Sequence, residues 1–173
     1  MGFEMMPRNY GLMAIHAQKR YFKNGKKTEE DRFNDLGVKA SERFVNAMVA
    51  ILRCGSRYTE DDIRAIDQNV SRMAKQYVES RNAYGQAKTE HSFKSMTDEH
   101  MPTGLCIPAT RDMKTLRDWA ELSTERRAVE NTMRFYAKAL YDRFDMKKDE
   151  IKTVFALALD LYGERARKER MKG

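Results

Sequence analysis

Residues that interrupt helices are scarce in this sequence. Of 173 residues only three are proline (Pro7, Pro102 and Pro108), and nine are glycine. Ala, Leu, Met, Glu, Lys and Arg dominate what remains, and these are the strong helix formers. The predicted class is all-α. Cysteine is equally rare: Cys54 and Cys106 lie far apart in sequence and are expected to stay reduced. No uncharged stretch approaches the roughly 18 residues that a membrane-spanning helix needs. Residues 1–8 are too short and too polar for a secretory signal, so a cytoplasmic chain is expected. The 41% apolar and 34% charged fractions exclude a disordered composition. A single helical domain over 1–173 follows, with 1–85 and 109–173 as candidate subdomains joined by a loop over 86–108.

Acidic residues are missing from one region only. Between Met5 and Thr28 there is no Asp or Glu but six Lys or Arg. Gln18 to Lys27 alone holds Lys19, Arg20, Lys23, Lys26 and Lys27, with Tyr21 and Phe22 between them. The net charge is +7, and both ends of the chain carry the excess. Residues 1–58 hold 11 bases against 6 acids and residues 109–173 hold 16 against 12, while 59–108 hold 6 against 8. Such polarity favours association with polyanions. Cations at the C-terminal end of a helix also complement its dipole by tenths of a kcal/mol each, which accounts for some of these bases but does not call for six without an acid.

Hydrophobic spacing predicts six or seven helices. Leu12, Ile15, Lys19 and Phe22 share a stripe that places a first helix over 9–24, stopped by Gly25. Thr28 caps a second, with Phe33, Leu36, Ala40, Phe44, Met48, Ile51 and Leu52 inward; Gly37 either splits it or sits within it. Thr59, followed by Glu60, Asp61 and Asp62, caps a third that carries Ile63, Ile66, Val70, Met73, Ala74, Tyr77 and Val78. These last two are expected to pair as an antiparallel hairpin. A DNA-reading helix-turn-helix is disfavoured, because three acids open the helix that would face phosphate.

Periodicity fails over 86–108, the expected long loop. Thr110 is expected to open a short helix with Met113, Leu116 and Trp119 inward. Ser123 or Thr124 then caps another, carrying Val129, Met133, Tyr136 and Leu140. Asp145 is expected to cap the last, whose run over 154–159 is apolar all round and reads as its most buried turn. Past Gly163 the basic tail with Arg165, Arg167 and Lys168 is expected to fray.

Catalytic signatures are absent. No phosphate-cradling glycine loop, dinucleotide fingerprint, zinc-protease helix or nucleophile elbow occurs. His91, His100 and Cys106 match no compact zinc spacing, so neither metal nor cofactor is expected, and the chain reads as non-enzymatic. Tyr21 is a candidate for stacking on unpaired bases. Twelve methionines suit irregular cores and adaptable partner surfaces.

The segment Ala139-Leu140-Tyr141-Asp142-Arg143-Phe144-Asp145-Met146-Lys147-Lys148-Asp149-Glu150-Ile151 resembles one in small helical accessory proteins of phages and mobile elements of Gram-positive gut bacteria. The start, Asn9 to Lys19, is similar to theirs as well. Asp145 and Met146 stand where that family usually has a glycine-bearing turn. Some phage-borne proteins of this size are anti-CRISPR inhibitors of type II RNA-guided nucleases, so the resemblance implies a partner in DNA or in such a nucleoprotein complex. The residues themselves point to Lys19, Arg20, Tyr21, Lys23, Lys26 and Lys27, joined by Arg165, Arg167 and Lys168, as the contact for nucleic acid or an acidic partner. A small DNA-binding regulator, active as a homodimer, and a protein-only adaptor using loop 86–108 are the alternatives.

Overall fold

Three Thr-x-x-Asp sequences set the start of three of the four long helices. The computed structural model of the protein describes residues 28–173, and the helix expected over 9–24 lies outside them. Thr28, Thr59 and Thr115 each accept from the backbone N–H three residues on, and Asp31, Asp62 and Asp118 each accept in return from the threonine N–H. These reciprocal caps satisfy the first orphan donors. They open α1 (Glu29–Cys54), α2 (Glu60–Tyr84) and α4 (Leu116–Phe144). α3 (Gln86–Thr97) starts from Gly85, whose φ of 89° only glycine adopts readily. α5 (Lys148–Lys172) follows Lys147 without a side-chain cap.

The described residues therefore form five helices and no strand. Gly37 does not interrupt α1; it faces Ala128 of α4, and Ser41 Oγ donates to the Ala128 carbonyl at 3.4 Å. The two helices expected over 110–120 and 123–144 are one. Thr124, read as a cap, turns its hydroxyl back to the Ala120 carbonyl at 3.0 Å and stays inside the helix. The expected loop over 86–108 yields α3. Asp145 does not cap α5 but ends α4, in the left-handed conformation at φ 53°, where its N–H donates to the Tyr141 carbonyl. It fills with a non-glycine residue the role that glycine usually takes.

Cross-helix pairs fix the directions. Arg32 meets Glu121 and Phe44 meets Tyr136, so α1 and α4 run parallel. Arg143 meets Asp62 and Tyr136 meets Asp67, so α2 runs opposite to α4. Arg43 meets Glu169 and Arg57 meets Glu150, so α5 runs opposite to α1. α1 packs chiefly on α4 and α5 rather than on α2, so the expected α1–α2 hairpin is not the main contact of either helix. One hydrophobic cluster draws on α1, α2, α4 and α5. At its centre the fully buried Phe44 ring makes edge contacts with Tyr136, Phe155 and Tyr162, at centroid distances of 6.3, 6.2 and 6.4 Å. Such pairs add about 1 kcal/mol each beyond area burial.

α5 continues nine residues past Gly163, the place where its sequence suggests a stop. Gly163 is buried in mid-helix because Pro108 crosses there; a Cβ would stand 3.1 Å from the proline ring. The run over 154–159 is not buried all round: Phe155, Ala158 and Leu159 face inward, while Leu157 is half exposed.

Candidate functional site

Of the binding residues expected from the sequence, Lys19, Arg20, Tyr21, Lys23, Lys26 and Lys27 lie outside the described residues. Their weight in the charge balance is still plain, because residues 28–173 carry 27 bases and 25 acids. Arg165, Arg167 and Lys168 sit on the last turns of α5, which is helical to Lys172 rather than frayed. Lys168 Nζ donates to Glu164 at 2.6 Å. That bond holds the exposed Glu164 carboxyl below the ordinary range and occupies one of the three proposed cations. Arg165 and Arg167 have no ion-pair partner among the described residues. The turn is anchored by Arg43, which donates to Glu169 at 2.6 Å and lies 5.7 Å from the Tyr162 ring. Burial pushes the Tyr162 hydroxyl up to about 12, with the Glu125 carboxylate adding to the rise.

A second set of charges lies at the start of α4. Arg111, buried to 8% side-chain exposure, donates to both Glu121 and Glu125, whose side chains are 8% and 6% exposed. Thr110 Oγ1 donates to Glu125 at 2.6 Å, and Arg32 and Arg117 reach Glu121 at 3.2 and 3.3 Å. Thr110 and Arg111 thus pin the segment before α4 onto its second and third turns; they do not open a helix. The charges are mutually paired, so the cluster reads as a structural clasp. Leu116 and Trp119, expected to face inward, are 90% and 56% exposed.

The histidines and cysteines do not converge. His100 stacks on Tyr141 at 3.8 Å, His91 is exposed, and both thiols are free and exposed. Among the described residues no group of three His, Cys, Asp or Glu could hold a metal ion. Nor is any of their helices long and apolar enough to cross a membrane.

The described residues also form concavities. A cleft of about 440 Å³ lies between α1, α2 and α4, with Phe33, Asn34, Arg81 and Asn82 on its walls. A larger cavity of about 740 Å³ lies under the loop that follows α3 and is bordered by Arg126, Arg134 and Lys148. None of those three cations stood out in the sequence; the only trace was Arg126, Glu130 and Arg134 recurring every four residues on one helix face. No family model, curated protein or solved structure matches this chain.

Proposed function

We propose that the protein is a non-enzymatic binding protein that engages nucleic acid, or a complex that handles it, through a basic end of the bundle. The observation that carries this reading is the antiparallel seat of α5 on α1. The Arg43–Glu169 pair holds the last turns of α5 against the middle of α1, and α5 runs from there toward the end at which Thr28 opens α1. Lys27 is covalently joined to Thr28, so in sequence the N-terminal basic run adjoins the end of α1 toward which α5 runs with Arg165, Arg167, Arg170 and Lys172. On this reading the two basic stretches, remote in sequence, act together, and their summed field raises the local concentration of polyanions.

The most specific form of this proposal follows the family resemblance: an inhibitor that occupies a type II RNA-guided nuclease or its DNA. A chain of net charge +7 does not mimic DNA, so it would bind the effector away from an anion-binding face or bind the nucleic acid itself. Gel-shift titration with duplex DNA, with and without such an effector complex, tests both forms. A protein making about six phosphate contacts loses roughly a thousandfold in affinity between about 50 and 200 mM salt. Replacing Lys19, Arg20 and Lys23 together by Ala, and separately Arg165 and Arg167, should weaken binding and flatten that slope while the melting temperature holds. Affinity that ignores both salt and these substitutions overturns the proposal. It would favour the protein-only adaptor, for which the exposed Leu116 and Trp119 side chains are the specific support.

A further inference from the structure

The loop over 98–107, one face of α4 and the first residue of α5 enclose the 740 Å³ cavity, a size typical of small-molecule sites. Met101, Leu105, Ile107 and Met133 give it an apolar wall. The charged side chains bordering it are Asp98, Glu130, Arg126, Arg134 and Lys148. Arg134 is already engaged: its guanidinium donates to Thr97 Oγ1, Asp98 and Glu130, which occupies both carboxylates as well. Arg126 and Lys148 have no ion-pair partner among the described residues. The Arg126 Nε–H is also screened from solvent and meets no acceptor, a state that carries the desolvation cost of a lost hydrogen bond.

We propose that this cavity binds a small amphipathic carboxylate. Its apolar body would lie on Met101, Leu105, Ile107 and Met133, and its single carboxylate would accept from Arg126. The lining carries one net positive charge, which one carboxylate neutralises. A dianion such as a phosphate monoester would bring a second negative charge beside Asp98 and Glu130, where like charges repel. The site is independent of the basic end described above.

Two free thiols supply the test. Cys106 lies on the cavity wall, whereas Cys54 ends α1 outside it, and both are exposed. The alkylation rates of both by iodoacetamide are followed by peptide mass spectrometry on the full chain, with decanoate titrated below its micellar range and decan-1-ol as the uncharged control. Decanoate should slow the reaction of Cys106 saturably and leave Cys54 unchanged. Arg126→Gln should weaken that protection about tenfold, the scale of one lost charge-assisted hydrogen bond. Arg126→Met, which keeps an apolar stem without the guanidinium, should shift it the same way and serves if the Gln variant does not fold. Absence of protection, equal protection by decan-1-ol, parallel protection of Cys54, or protection of wild-type strength in folded variants would each overturn the proposal.

Discussion

The two ends of α4 are held by opposite chemistry. From Val129 onward its inward residues (Met133, Tyr136, Ala137 and Leu140) join the apolar cluster around Phe44. In its first turns the inward residues are Glu121, Leu122 and Glu125, and the two carboxylates are held by Arg111 from the preceding segment. The apolar end gains from every buried group and tolerates no vacancy. At the charged end the desolvation of each ion offsets much of its attraction, so the clasp places residues 108–115 more than it stabilises the bundle.

Four substitutions would sharpen or erase this contrast. Phe44→Ala should cost about 4 kcal/mol, because the hub loses three ring contacts and a cavity opens; urea unfolding measures it, and a loss near zero would make the two ends alike. Arg111→Leu should cost about 3 kcal/mol by leaving the buried Glu125 carboxylate without a cation and Glu121 with only the half-exposed Arg32 and Arg117. In the triple variant with Glu121→Leu and Glu125→Leu most of that loss should return, which no repair of the Phe44 vacancy by charge would achieve.

Asp67 tests the apolar end in the other direction. Burial pushes its carboxyl from 3.8 up to about 6, despite the hydrogen bond from Tyr136. The folded state therefore holds this proton more tightly than the unfolded chain. The associated stability is fully present below pH 3.8 and is lost as pH rises to about 6. Asp67→Asn should add about 2 kcal/mol at pH 7 and remove that slope, as melting curves between pH 4 and 7 would record. The smallest effect is expected at the solvent-exposed Lys168–Glu164 pair, where Lys168→Ala should change stability by less than about 0.5 kcal/mol.

Local signals in the sequence located most of the helices. Thr28 and Thr59 followed by acids marked two starts, and the stripes through Phe44, Val70, Tyr136 and Phe155 marked inward faces that are buried. Where the reading failed, the deciding contact was remote. Gly163 looks like a stop unless Pro108 is known to cross it. Thr110 looks like a cap unless Glu125 is known to face it. α3 escaped because two of its inward residues are polar: Thr89 bonds with Ser80, Thr97 donates to the Phe93 carbonyl, and only Phe93 reaches the aromatic rings of Tyr77 and Phe135. A hydrophobicity pattern does not register threonines that satisfy themselves in this way. The cavity was illegible for the same reason, since the loop over 98–107, Arg126 and Lys148 meet only through the fold. Of the proposed basic site, the sequence showed the charge, while the antiparallel seat of α5 emerged only in three dimensions.

The position of Phe44 bears on how the chain is made. All three of its ring partners are encoded more than ninety residues later, the last being Tyr162. On the ribosome α1 must wait with its sticky face uncovered until the chain has emerged as far as Tyr162. Interrupted synthesis would then release α1 as bait for chaperones and proteases, and nascent chains halted before residue 150 should be cleared far faster than chains extended past Tyr162.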